Sequence, residues 1–233
     1  MNSVKNKTSV SLVVPAYNEE KRIATVLSQY CSHFPDSEII VVCDGTDNTL
    51  NIVKSLSKDN TNIKLLHFDD RVGKGGAIIE GFKIASGDII GFVDADNLIK
   101  PSQVAAMIDE LSNADGVIAS RHLNDSKIIV KQPLKRRFAS KCFNIFVRLM
   151  FYLPFKDTQC GAKIFKNEAI AGMLNESMTT GFEFDVELLW KLKKKGCTIV
   201  EYPIEWSHSE GSGFSLKSAP KMFISLIRVR LWE

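Results

Sequence analysis

The chain has 233 residues, 45% hydrophobic and 24% charged, which suits one globular α/β domain and excludes a disordered or fibrous chain. A formal net charge of +3 is too small to imply a nucleic-acid partner. The five cysteines, Cys31, Cys43, Cys142, Cys160 and Cys197, form no Cys-x-x-Cys pair, which argues against a zinc site or disulfide framework and fits a reducing compartment.

In chain order, Val10 to Val14 is an apolar run stopped by Pro15, and Glu20 to Phe34 carries Ile23, Val26, Leu27 and Tyr30 at helical spacing. Glu38 to Cys43 reads as a second buried strand, Thr46 to Ser57 as a helix opened by capping residue types, and Ile63 to Phe68 as a third strand. Lys74 to Ala85 is helical, Asp88 to Val93 is a fourth strand, Pro101 begins another helix, and Gly116 to Ser120 is a fifth strand. This alternation predicts a doubly wound, mostly parallel sheet flanked by helices. After Ser120 the pattern changes. Lys135 to Tyr152 is long, basic and helical, Gln159 to Phe165 is a short strand, and Phe182 to Lys195 is an amphipathic helix. Thr198 to Tyr202 is a strand and Ser215 to Trp232 a last helix. We expect one domain over residues 1–233, with residues 121–233 completing and covering residues 9–120. No run approaches the roughly 18 apolar residues that span a bilayer, and residues 1–10 lack the apolar core of a signal peptide.

Four loops follow successive strands and leave the sheet on one edge, where ligands of open α/β sheets bind. They are Pro15-Ala16-Tyr17-Asn18-Glu19-Glu20, Asp44-Gly45-Thr46-Asp47-Asn48-Thr49, Arg71-Val72-Gly73-Lys74-Gly75-Gly76 and Asp94-Ala95-Asp96-Asn97. Each alone also reads as a turn. Together they offer acceptors for a base or ribose, glycine amides with Lys and Arg for phosphates, and two carboxylates suited to Mg²⁺ or Mn²⁺. Lys74 is followed by Gly75-Gly76 rather than Ser/Thr, which excludes a P-loop, and the first strand lacks a dinucleotide fingerprint.

These four segments in combination resemble the inverting family 2 glycosyltransferases of GT-A fold. Asp157-Thr158-Gln159-Cys160-Gly161-Ala162-Lys163, Phe184-Asp185-Val186-Glu187-Leu188-Leu189 and Glu210-Gly211-Ser212 are similar to the polyprenyl-phosphate branch, nearest the dolichyl-phosphate β-glucosyltransferases. In the mannose synthases of that branch the first of these segments reads closer to Asp-x-Thr-Ser-Gly-Phe-Arg. The resemblance covers residues 9–231.

It implies transfer of a sugar, with inversion, from a nucleoside-diphosphate sugar to a polyprenyl or dolichyl phosphate. UDP-glucose is the favoured donor, GDP-mannose the alternative. On the matching positions, Pro15, Tyr17, Glu19 and Asp44 hold the nucleoside, and Arg71 and Lys74 approach base or phosphates. Asp94, Ala95 and Asp96 form the metal corner, Asp96 being the more direct ligand of Mg²⁺ or Mn²⁺, with His208 a further candidate ligand. Leu98 stands where mannose synthases carry a metal-assisting Gln. Arg121, with Arg136 or Arg137 and Ser140, receives the acceptor phosphate. Asp157 and Gln159 face the sugar or metal region, and Glu183 and Asp185 occupy the acidic pair near the acceptor, with a role at the helix N-terminus as the rival reading for both. Lys217, Lys221, Arg228 and Arg230 alternate with Phe223, Leu226, Ile227 and Trp232, which suits a protein lying at the cytoplasmic face of a membrane. The same helix also reads as one packed on the core. A polysaccharide-building transferase and a non-catalytic nucleotide-sugar-binding subunit are the competing readings.

Overall fold

The computed structural model describes residues 8–96, 98–130, 134–174, 176, 178–207 and 219–232; of helix residues 134–139, 219–221 and 232, only the backbone course is described. The elements are β1 (Val10–Ala16), α1 (Ile23–His33), β2 (Glu38–Cys43), α2 (Thr49–Asp59), β3 (Ile63–His67), α3 (Gly73–Ile84), β4 (Ile89–Val93), α4 (Pro101–Asp109) and β5 (Gly116–Ser120). They continue with β6 (Lys127–Val130), α5 (Leu134–Phe151), β7 (Ala162–Lys166), α6 (Asn167–Ala171), α7 (Phe184–Lys194), β8 (Ile199–Pro203), β9 (Glu205–Ser207) and α8 (Ala219–Trp232).

A seven-stranded sheet runs β3-β2-β1-β4-β7-β5-β8, parallel except for β7, which is antiparallel to both neighbours. The doubly wound, mostly parallel fold expected from the strand–helix alternation is therefore present. Side chains alternate across the sheet as a strand requires. Leu12, Val14 and Ala16 of β1 face a core shared with α1, α2 and α4, while Val13 faces a second core built with α3, α6 and α7. A third apolar cluster joins β5 to α5, α7 and α8.

Several boundaries differ from the sequence expectation, each for a local reason. Pro15 lies within β1 rather than ending it: pairing with β4 stops at Val13↔Phe92, so the missing N–H of Pro15 removes no bond on that side. The α2 helix begins at Thr49 rather than Thr46, because Asp47 accepts both the amide and the hydroxyl of Thr49. The strand expected at Gln159 begins at Ala162, the preceding residues being held in a loop by Asp157. The short parallel pair β6–β9 and the five-residue α6 have no counterpart in the sequence reading.

Candidate active site

Strands β1, β2 and β4 deliver their carboxyl ends to one edge of the sheet, and the four polar loops gather there. Asn18, in the left-handed region at φ 56°, accepts the amides of Thr46 (2.9 Å) and Asp47 (3.3 Å), which ties the first loop to the second. The Glu19 amide donates to the Thr49 hydroxyl, and the Glu19 carboxylate receives Arg22 Nε at 2.7 Å. Burial raises the Glu19 carboxyl despite Arg22. Tyr17 is 39% exposed, and the Arg71 guanidinium stands 3.9 Å from its ring centroid, a cation–π stack at the mouth of the site.

The glycine-rich loop corrects one expectation. Its amides are not left open for phosphates. Asp44, buried at the end of β2, accepts Val72 and Gly73 N–H at 3.0 Å each, and the Thr180 carbonyl accepts Gly75 and Gly76 N–H at 2.9 and 3.3 Å. The N-terminus of α3 is thus capped by the protein's own anion and carbonyl. The glycines serve close approach instead: Gly73 has φ +76°, and a Cβ on Gly75 would stand 2.6 Å from the Thr179 carbonyl oxygen and from Phe184 Cβ.

At the centre of the site, Lys74 Nζ lies 3.1 Å from Asp94 Oδ1 and 3.1 Å from Asp185 Oδ2. The other Asp185 oxygen lies 2.5 Å from Lys163 Nζ, which also donates to the Cys160 carbonyl at 2.9 Å. Burial works against the Lys74 ammonium, but the charges of Asp185 and Asp94 outweigh it and hold the group above its ordinary range. Burial likewise works against the Asp185 carboxylate, and Lys163 and Lys74 hold it below its ordinary range.

Asp96 behaves oppositely. Burial, then the neighbouring Asp94 charge, push its carboxyl up to about 7, against weaker opposition from the Leu98 amide, Arg22 and Lys74. Asp94 is fixed by its amide, which donates to the Gly161 carbonyl at 2.8 Å. Any side chain at Gly161 would strike the Asp94 carboxylate. Ala95 between the two acids is buried in the apolar core, leaving only its backbone near the site.

Two carboxylates one residue apart, one raised by burial and then by the other's charge, form a place where a divalent cation relieves repulsion. Hard oxygen donors of this kind fit Mg²⁺ or Mn²⁺, which bind through one or two carboxylates together with phosphate oxygens and water. Among the described residues, no group of three or more His, Cys, Asp or Glu side chains gathers as a metal site. His208 lies outside the described residues, as does the side chain of Arg137, whose backbone belongs to α5.

A second charged corner lies past β5. Arg121 Nε and Nη2 meet the Asp157 oxygens at 2.7 and 2.9 Å, a bidentate pair, and the Arg121 amide adds a third bond at 3.0 Å. Burial would raise the Asp157 carboxyl, yet Arg121 holds it far below the ordinary range. The Glu201 carboxylate of β8 accepts the Lys156 and Asp157 amides at 2.8 and 3.0 Å, presetting this turn. Asp157 thus faces Arg121 rather than Asp94 or Asp96. Gln159 spends its side-chain amide on the Phe182 carbonyl at 3.3 Å. Glu183, at the start of α7, accepts the Ser225 hydroxyl of α8 at 3.0 Å.

Sequence reasoning assigned no role of their own to Asn18, Arg22, Lys163 or Glu201. Asn18 and Lys163 lie within quoted motifs and Arg22 two residues past one. Lys163 and Glu201 find their partners 22 and 44 residues away.

The chain's likenesses agree with this arrangement. The profile of "Glycosyl transferase family 2" matches residues 11–173. A dolichyl-phosphate beta-glucosyltransferase of Trichomonas vaginalis is 32% identical over 244 residues, covering 98% of this chain and 75% of that protein. An undecaprenyl-phosphate mannosyltransferase of Micrococcus luteus is 27% identical over 96% of this chain and 93% of its own. Among solved structures, glucosyl-3-phosphoglycerate synthase from Mycobacterium tuberculosis, in complex with Mn²⁺, uridine diphosphate and phosphoglyceric acid, superposes with a TM-score of 0.72 at 18% identity. That match covers 96% of this chain and 78% of that one, and carries the fold alone. With its acids at the end of β4 and its nucleotide-type loops on one sheet edge, the chain belongs to glycosyl transferase family 2 and is a glycosyltransferase of GT-A fold.

Proposed function

We propose that this enzyme moves a sugar, with inversion, from a nucleoside-diphosphate sugar to a polyprenyl or dolichyl phosphate, with UDP-glucose as the donor. The observation that carries the reading is the Asp94–Asp96 corner, where a half-buried carboxyl is raised to about 7 beside a second acid and the Lys74 ammonium. In this reading residues 9–120 hold the donor and residues 121–233 the acceptor. Asp96 and Asp94 hold Mg²⁺ or Mn²⁺ against the donor diphosphate. When bound, that ion offsets negative charge developing on the leaving diphosphate. Lys74 adds a fixed positive charge to the same pocket, and Tyr17 with Arg71 gives the base a flat cationic platform.

The acceptor phosphate is already an anion, so its oxygen attacks the anomeric carbon while the bond to the nucleoside diphosphate breaks, with no proton to remove. The placement of Asp185 supports an acceptor of this kind. Held as a carboxylate by two ammonium groups and 1% exposed, it is a poor general base. Arg121, oriented by Asp157, together with Arg137 of the basic α5 helix, supplies the cationic seat for the acceptor phosphate.

Exposed apolar side chains on α5 (Ile145, Leu149), just past it (Tyr152) and on α8 (Ile224, Ile227, Leu231) accompany Arg148, Arg228 and Arg230, which supports peripheral binding at the cytoplasmic face of a membrane. Among the described residues no helix is long and apolar enough to cross one.

A panel of UDP- and GDP-sugars with Mn²⁺ or Mg²⁺ and a short polyprenyl phosphate tests the reading. UDP-glucose should give lipid-linked glucose. The second reading, a mannosyl donor, is favoured by the likeness to the M. luteus enzyme and would show as product from GDP-mannose instead. No lipid product from any donor would refute both.

A further inference from the structure

Lys163 is the most deeply enclosed cation near the site. Its side chain has no exposed surface, and it stands in β7 at the middle of the sheet, opposite Phe92 of β4 on one side and Ile118 of β5 on the other. An ammonium in a dry interior needs an anion and further acceptors around it. Lys163 has both, the Asp185 oxygen at 2.5 Å and the Cys160 carbonyl at 2.9 Å, with its Nζ 5.3 Å from the Phe92 ring centroid.

The chain of charges has a specific topology. Lys163 belongs to the sheet, Asp185 to α7, Lys74 to α3, and Asp94 to the end of β4. Since β4 and β7 are paired, and the Asp94 amide donates to the Gly161 carbonyl, the circuit β7–α7–α3–β4 closes on itself. Asp185 has two oxygens and two ammonium partners. Fixing one oxygen on Lys163 decides where the other can receive Lys74. Asp185 carries one negative charge, so without Lys163 it would be free to turn wholly to Lys74 and draw that ammonium from Asp94.

We propose that Lys163 is a positioning residue, which through Asp185 aims the Lys74 ammonium at the donor-diphosphate pocket beside Asp94. The inference rests on the reading of that pocket given above. The rival account is that Lys163 and Asp185 merely balance each other's charge inside the fold. The two accounts separate in variants that keep the interior balanced. Lys163→Met/Asp185→Leu removes both charges with apolar groups of suitable size, a change that usually preserves folding. Lys163→Arg keeps the charge but replaces a single-point donor with a planar fork.

The measurement is UDP binding in the presence of Mn²⁺ by titration calorimetry, with the thermal midpoint recorded alongside. Both variants should melt near the unaltered protein. The double variant should bind UDP·Mn²⁺ about tenfold more weakly, and Lys163→Arg about threefold more weakly. Either variant folded and binding like the unaltered protein would overturn the positioning role, as would failure of both to fold, which would make the pair a requirement of the fold. Absence of UDP·Mn²⁺ binding by the unaltered protein would instead overturn the pocket assignment itself, and the inference with it.

Discussion

Two charged corners of this molecule look alike in composition and differ in design. The Arg121–Asp157 corner is closed: one guanidinium, one carboxylate, two parallel bonds at 2.7 and 2.9 Å, and a carboxyl held far down by its partner. The Asp94–Asp96 corner is open-ended: Lys74 is shared between Asp94 and Asp185, and Asp96 is left with a carboxyl raised to about 7. The first is a charge-matched pair in which Asp157 fixes the direction of the Arg121 guanidinium. The second carries an acid in excess of its cations, and such excess is what a divalent ion relieves.

The largest effect that would break this comparison is Asp96→Ala. Turnover should fall by about a hundredfold or more, while the thermal midpoint without metal should hold or rise, because a half-buried acid repelled by Asp94 has been removed. Turnover close to that of the unaltered protein would erase the distinction between the corners. Asp157→Asn should do the reverse in kind, lowering stability by about 3 kcal/mol in chemical denaturation, since it leaves a largely enclosed guanidinium without its charge partner.

The two corners should also titrate in opposite senses. The Asp157 carboxyl is depressed in the folded state, so the stability it contributes is present above the ordinary carboxylate range and is lost as pH falls. The Asp96 carboxyl is raised, so metal-free stability is favoured at acid pH and is lost as pH climbs from the ordinary Asp value through about 7. Added Mn²⁺ should therefore raise the melting midpoint more at pH 8 than at pH 6, where it competes with the Asp96 proton. An equal shift at both values would contradict the assignment of Asp96 as ligand.

A smaller effect sharpens the comparison at the mouth of the donor site. Tyr17→Ala removes the ring beneath Arg71 and should raise the KM for the nucleotide sugar by about tenfold, with kcat changed little. The smallest effect belongs to the α5–α8 face. Leu149→Ser with Leu231→Ser should weaken binding to anionic vesicles by about tenfold and leave turnover on a short soluble polyprenyl phosphate unchanged. Unaltered vesicle binding would remove that face from the account.

Much of the open corner was legible in the sequence, because a parallel sheet places contiguous loop motifs side by side: Tyr17 to Glu20, Asp44 to Thr49 and Asp94 to Asp96 each follow a strand. What the pattern misassigned was the glycine loop. Gly73 to Gly76 reads as a phosphate cradle, yet its partners are Asp44 and the Thr180 carbonyl, the latter more than a hundred residues away and invisible to local spacing. Lys163, quoted only as the last residue of the Asp157–Lys163 segment, had no role assigned for the same reason: a lone lysine in a short apolar strand gives no hint that Asp185 will reach it from α7. The pairing of Asp157 with Arg121 was equally hidden, although both residues stood out individually.

The central claim is chemical, and the stereochemistry of the product tests it most directly. Incubation with UDP-glucose, Mn²⁺ and a short polyprenyl phosphate, followed by nuclear magnetic resonance of the purified lipid, should reveal one glucose joined through a single phosphate in the β configuration, with UDP released. An α-linked product, glucose attached to another sugar, or unconsumed UDP-glucose would contradict it.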